Sequence, residues 1–116
     1  MPDIALNLPP PLSVNATRRI DWKAKARIDA WQKNADAHFL LQKRGLPPPI
    51  TGQFEIIITL REGSRADLDN ICKQTIDSVR RFGLVPDDSP KFMRRLVVEF
   101  GEAPTGCRVL IKPFKG

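Results

Sequence analysis

The spacing of hydrophobic residues predicts four strands and two helices. Ile4, Leu6 and Leu8 alternate with polar or small residues, and three prolines, which lack the N–H group that a strand ladder needs, follow directly. The same alternation over 54–60 predicts a second strand. Two further strands are predicted over 96–100 and 107–111, and a hairpin is the simplest connection between them.

Apolar residues at steps of three and four predict the two helices. The first spans about 18–44 and is closed by Gly45; its apolar stripe consists of Ile20, Ala24, Ile28, Trp31, Ala35 and Phe39. The second spans 67–82, with Gly83 at the C′ position. At 100° per residue, its polar side consists of Asp69, Asn70, Lys73, Asp77 and Arg80.

This order of elements predicts an α/β fold. A small mixed sheet of about four strands packed with two helices forms a single domain over residues 1–116. Two helices cannot cover both faces of such a sheet. We therefore expect a homodimer, formed through the uncovered face or through a helix.

Length and charge narrow the range of functions. A chain of 116 residues has room for one core, which argues against large nucleotide-binding enzymes. The longest apolar run is three isoleucines, and the first residues do not resemble a secretory leader, so a cytoplasmic protein without membrane contact is expected. A net charge of +6 favours a polyanionic partner such as nucleic acid.

The cysteines and the histidine exclude several kinds of site. Cys72 and Cys107 are 35 positions apart with no CxxC pattern, so we expect reduced thiols in the core rather than a disulfide framework or a zinc site. His38 is the only histidine, which excludes an HExxH centre. Trp31 is expected in the core because it lies on the apolar stripe of the first helix.

Acidic residues are clustered at two points of this basic chain. Asp67 and Asp69 lie at the start of the second helix, and Asp87 and Asp88 lie in the loop after it. The helix between them is about 22 Å long, so chain continuity alone does not bring the two pairs together. A shorter helix, a crossing of the sheet edge by the intervening residues, or a second subunit would close the gap.

The acidic pair at the helix start has two interpretations. Asp67 is a suitable N-cap, and Asp69 interacts favourably with the helix dipole. Alternatively, the carboxylates, with Asn70 and Lys73 on the same face, are the hard oxygen ligands and the cation that a Mg²⁺-dependent phosphodiester site uses. Spacing alone leaves both open. An EF-hand loop is excluded, because the spacing of its oxygen ligands and glycine is absent.

A longer motif resembles RusA-type Holliday junction resolvases. It consists of Asp67-Leu68-Asp69-Asn70, Lys73, Asp77, Gly83-Leu84 and Asp87-Asp88. The order of strands and helices is similar over nearly the whole chain, and the segment 9–15 resembles the family's Pro-Pro-Ser-x-Asn stretch. Members of that family are small homodimeric endonucleases that cut four-way DNA junctions by paired nicks in recombination and repair.

The resemblance implies a set of site residues. Asp67, Asp69 and Asp88 would bind Mg²⁺, or Mn²⁺ in its place, and Lys73 would be the catalytic lysine. Asp87 could be the ligand instead of Asp88. No small-molecule cofactor is implied. Contacts with branched DNA are expected from four residues: Arg65, Asn70, Arg80 and Arg81.

A function of a different class fits the same composition. A small basic protein that binds nucleic acid without cutting it would also carry a charge of +6, and its aspartates would only cap a helix. The two hypotheses differ in one property, because only the endonuclease hydrolyses a four-way junction when Mg²⁺ is present.

Overall fold

The chain folds into the predicted succession of strands and helices. The computed structural model describes residues 2–11, 22–64 and 68–114, with residues 22–24, 69 and 70 described by their backbone alone. The elements are β1 (Ile4–Leu8), α1 (Trp22–Gln42), a 3₁₀ turn (Lys43–Gly45), β2 (Phe54–Arg61), α2 (Leu68–Arg81), β3 (Met93–Gly101) and β4 (Cys107–Pro113).

The four strands form one mixed sheet in the order β1-β4-β2-β3. β4 lies antiparallel between β1 and β2, whereas β2 and β3 are parallel neighbours. Parallel strands need a crossover connection, and α2 provides it. The predicted α/β fold, with a four-stranded mixed sheet and two helices, is confirmed.

The predicted hairpin between the last two strands is wrong. β2 lies between β3 and β4, so the loop 102–106 passes over the end of β2. Arg61, the last residue of β2, stabilises this crossing: its backbone N–H donates to the carbonyl oxygen of Gly106 (3.1 Å), and its guanidinium donates to those of Ala103 and Pro104. Gly106 is required here because a Cβ atom would lie 2.3 Å from Pro10.

Both helices pack on the same face of the sheet. The buried residues of the strands alternate with more exposed ones, and they form one core with residues of both helices. The largest fully buried side chains include Phe54, Ile56, Ile58, Leu60 and Ile71. Within the described ranges, no helix covers the opposite face, which we call the open sheet face.

α2 has the predicted apolar side and the predicted end. Ile71, Thr75 and Val79 are buried, and the hydroxyl of Thr75 donates to the carbonyl oxygen of Ile71. Gly83 has a φ of 76° and follows the helix at C′. The N–H of Gly83 donates to the carbonyl oxygen of Arg80, and the N–H of Leu84 donates to the carbonyl oxygen of Val79. These two hydrogen bonds form a Schellman motif.

α1 is less well packed than its sequence pattern predicts. Trp31 and Ala35 are buried as expected, and the indole N–H of Trp31 donates to the carbonyl oxygen of Pro9 (3.3 Å). Ile28 and Phe39 of the same stripe are only half-buried, and Leu41, which is not part of it, is 87% exposed. Near the end of the helix, the side-chain amide of Gln42 hydrogen-bonds both the N–H and the C=O of Asn7 (2.9 and 2.7 Å). β1 is an edge strand, and unpaired backbone groups on such a strand can bind a strand of another chain. The side chain of Gln42 bonds two of these backbone groups.

The two cysteines should differ in reactivity. Cys107 is fully buried, and burial raises the pKa of its thiol to about 12, although a hydrogen bond with Thr75 acts in the opposite direction. Cys72 is half-buried, and its thiol donates to the carbonyl oxygen of Leu68. Because the thiolate is the reactive form, we expect dithionitrobenzoate to label Cys72 in the folded chain and Cys107 only after unfolding. Equal labelling rates in a Cys72→Ala variant and a Cys107→Ala variant would contradict this.

Candidate functional site

The structure describes only part of the predicted site. Asp67 and Arg65 lie outside the described residues, and Asp69 and Asn70 are placed by their backbone in the first turn of α2. Lys73 lies one turn further along α2 and is exposed. The helical backbone therefore places Asp69 and Lys73 on the same side of α2.

The loop after α2 turns back onto the polar side of this helix. Arg80 lies close to both aspartates of the loop: its Nη1 atom is 3.2 Å from the carboxylate of Asp88 and 3.6 Å from that of Asp87. Its Nη2 atom lies 3.9 Å from the carboxylate of Asp77, one turn earlier on the helix. Three carboxylates thus surround one guanidinium, and we call these four residues the Arg80 cluster.

Backbone hydrogen bonds fix the path of this loop. The N–H of Ile50 donates to the carbonyl oxygen of Leu84 (2.9 Å), and the N–H of Phe54 donates to that of Phe92 (2.8 Å). Between these two points, the carbonyl oxygen of Ser89 accepts hydrogen bonds from the N–H groups of Phe92 and the following residue. Asp87 and Asp88 are therefore held by a loop that is bonded to the segment before β2.

The return of the loop covers only part of the distance to the first turn of α2. Eleven residues separate Asp69 from Arg80, which corresponds to about 16 Å along the helix axis. Asp77 is eight residues, or about 12 Å, from Asp69. Asp88 is thus placed beside the C-terminal half of α2, two to three turns from Asp69.

The Arg80 cluster keeps a net negative charge. Three carboxylates and one guanidinium sum to −2, and the arginine side chain is about half exposed, so each ion pair is weak. The pKa of Asp87 lies below its usual value, mainly because of a hydrogen bond from the backbone N–H of Asp88, with a smaller contribution from the charge of Arg80. The carboxylate of Asp87 therefore stays ionised at neutral pH.

Arg81, the other arginine predicted to contact DNA, is also paired within the chain. Its guanidinium donates to the carboxylate of Asp36 on α1 (2.5 Å) and lies 5.5 Å from the ring centroid of Phe82. That ring is stacked on Phe39 with 4.3 Å between centroids. Arg81 thus joins the end of α2 to α1, and its predicted contact with DNA would compete with this ion pair.

The donor chemistry suits Mg²⁺, although the described side chains do not form a complete metal site. Among them, no group of three His, Cys, Asp or Glu residues could hold a metal ion. Of the three predicted ligands, only Asp88 has a described side chain, which binds Arg80. Asp67 and Asp69 are of the right type because Mg²⁺ prefers carboxylate oxygens. The ligand triad stays a prediction.

The Arg80 cluster was not predicted from the sequence. Asp77 and Arg80 have the i,i+3 spacing at which helical side chains meet, so this pair could have been found. The contacts of Arg80 with Asp87 and Asp88 depend on the path of the loop, which no local pattern shows.

Comparisons with known proteins give no independent identification. No protein-family model matches the chain, and no curated protein is significantly similar to it.

In the part of the chain that the structure describes, no helix is both long and apolar enough to cross a membrane.

Proposed function

We propose that this protein is a Mg²⁺-dependent endonuclease that cuts four-way DNA junctions as a homodimer. The observation that supports it best is the return of the loop after α2, which places the carboxylates of Asp87 and Asp88 on the polar side of that helix. Lys73 and the backbone of Asp69 belong to the same side. Within the described residues, Asp69, Lys73, Asp77, Asp87 and Asp88 are therefore on or beside the polar side of one helix.

Each residue of the motif has a defined task in this proposal. Asp67, Asp69 and Asp88 would hold the metal ion, which when bound supplies Lewis-acid stabilisation of charge on the phosphodiester. Lys73 would place an ammonium group next to the phosphate oxygen that gains negative charge. Arg80 pairs with Asp88 beside the C-terminal half of α2, and Asp88 would leave this weak ion pair to bind the metal ion.

One chain leaves Asp88 far from the first turn of α2. The gap of about 12–16 Å along the helix axis is too long for a shared ion. A homodimer, or a change in the loop when metal and DNA bind, would close it. Two sites related by a two-fold axis would also explain paired cuts in opposing strands.

Cleavage of a junction is the experiment that tests the proposal. A labelled four-way junction and a linear duplex of matched sequence would be incubated with the protein at equal ionic strength, with Mg²⁺ or with EDTA. We expect symmetrical nicks in the junction with Mg²⁺ and intact DNA with EDTA. Affinity should fall steeply with added salt, because phosphate contacts dominate binding.

The same experiment separates the endonuclease from a binding-only protein. Tight binding of the junction without cleavage in either Mg²⁺ or Mn²⁺ would contradict the proposal and favour a non-enzymatic nucleic-acid-binding protein. Equal cleavage of junction and duplex would keep a nuclease but reject specificity for junctions.

A further inference from the structure

The open sheet face has an apolar centre. Its central row crosses all four strands, and the strand registers align its members in the order Ala5, Leu110, Ile57 and Val97. Of these, Ile57, Val97 and Leu110 are half-buried, although no described helix lies over them. A row of aliphatic side chains across a whole sheet is typical of a face that packs on another surface.

Charged residues lie on either side of this row. The row on one side aligns Asn7, Arg108, Thr59 and Glu99. The row on the other side aligns Lys112, Glu55 and Arg95, and Glu55 accepts a hydrogen bond from Arg95 (3.3 Å). Three cations and two anions alternate here, so the face lacks the single sign of charge that a nucleic-acid surface needs. Mixed charge around an apolar centre is instead suited to another protein surface.

The arrangement of charges is complementary to itself about one particular axis. The midline of the sheet runs between β4 and β2. A two-fold axis parallel to the strands along this midline would place β4 of one copy over β2 of the other, and it would keep each row opposite the same row. The apolar rows then face each other. Lys112 of each copy would lie opposite the partner subunit's Glu55.

The other two-fold axis that packs the faces together is unfavourable. An axis perpendicular to the strands would place each strand over its counterpart and exchange the two charged rows. Arg108 of each copy would then lie opposite the partner subunit's Lys112, which brings like charges together twice in the middle of the sheet. Arg95 on the edge strand β3 would lie opposite the partner subunit's Glu99, so this axis combines two repulsive with two attractive pairs, whereas the axis parallel to the strands gives only attractive ones. The charges therefore select the axis parallel to the strands.

From this complementarity we infer that a second copy of the chain packs on the open sheet face, with a two-fold axis parallel to the strands between β2 and β4. The inference gives the homodimer of the proposed function a definite surface, and it rests on that proposal only for the expectation of a second copy. Both helices, including the polar side of α2, would face outwards from such a dimer and stay accessible to DNA. This dimer keeps each α2 away from the partner's loop, so the gap between Asp88 and the first turn of α2 would be closed within each chain, by the change in the loop.

Charge reversal across the interface tests this arrangement. We expect the parent chain to have twice its monomer mass of 13.1 kDa in analytical ultracentrifugation, without DNA or metal. Glu55→Lys and Lys112→Glu should each give monomers, because each places two pairs of like charges at the interface. An equimolar mixture of these two variants should form a heterodimer, in which both pairs are again opposite in charge.

The mixture is more informative than a double variant. Glu55 and Lys112 are also neighbours within one chain, so a double variant could recover through its own sheet, whereas a mixture can recover only across the interface. Leu41→Asp is the matched control: Leu41 is an exposed apolar residue on α1, and this change should leave the dimer intact. Ile57→Asp, in contrast, should give a monomer.

Three results would overturn the inference. They are a parent chain that stays monomeric at its highest soluble concentration, a mixture that stays monomeric while the parent is dimeric, and dissociation by Leu41→Asp but not by Ile57→Asp. Because the readout is mass alone, failure here leaves junction cleavage untested, and failure of cleavage leaves the dimer surface standing.

Discussion

Asp69→Asn is expected to abolish cleavage of four-way junctions while junction binding is retained. Asn keeps the size of the side chain but removes an anionic oxygen ligand, and a bound metal ion contributes several kcal/mol to catalysis of this kind. A loss of about 4 kcal/mol corresponds to a rate about a thousandfold lower. Single-turnover cleavage, measured at saturating enzyme, would report this change separately from binding.

A matched control separates this effect from helix stability and charge. Asp29→Asn makes the same chemical change at an exposed position of α1 and should cut at the parent rate. Loss of the interaction between Asp69 and the helix dipole should lower the free energy of unfolding by only about 0.3–1 kcal/mol. An Asp69→Asn variant that is folded and cuts within tenfold of the parent would make this residue structural, in agreement with the alternative interpretation of the acidic pair.

Phe54→Ala should cause the largest loss of stability among the phenylalanine substitutions. Phe54 is 1% exposed at the start of β2, and its backbone N–H bonds the loop that carries Asp87 and Asp88. Removing a buried phenylalanine ring costs about 3–5 kcal/mol, a large part of the stability of a small domain. Urea denaturation monitored by circular dichroism would measure it.

Phe100→Ala is the control for this prediction. Phe100 lies near the end of β3 and is 41% exposed, so its truncation should cost less than about 1.5 kcal/mol. Equal losses for the two variants would contradict the large stabilisation assigned to burial of the Phe54 ring.

Local sequence patterns predicted which helices and strands form, but they did not predict which strands lie next to each other in the sheet. β2 and α2 follow from strong periodicity, and Gly83 ends α2 at C′ as expected because only a residue that tolerates positive φ fits there. The relation of β3 to β4 was predicted wrongly, since a short loop is compatible with a hairpin and with a crossing over one strand. The hydrogen bonds of Arg61 stabilise the crossing, and they join residues about 40 positions apart.

In the candidate site, too, positions within one helix could be predicted from the sequence, whereas contacts between distant segments could not. The position of Lys73 on the polar side of α2 follows from helical spacing alone. The Arg80 cluster depends on hydrogen bonds between the loop after α2 and the segment before β2, so no pattern within either segment predicts it. The sequence also does not show which of the two adjacent aspartates lies closer to Arg80. In the structure, the carboxylate of Asp88 is closer to Arg80 than that of Asp87.

The position of a bound divalent ion tests the central claim most directly. A crystal structure of the protein grown with Mn²⁺ would locate the ion by its anomalous scattering. We predict one ion at the first turn of α2, about 2.1 Å from carboxylate oxygens of Asp67 and Asp69, and of Asp88 or Asp87 after release from Arg80. An ion bound only in the Arg80 cluster, or no ion near Asp69 at saturating Mn²⁺, would contradict the proposed nuclease site.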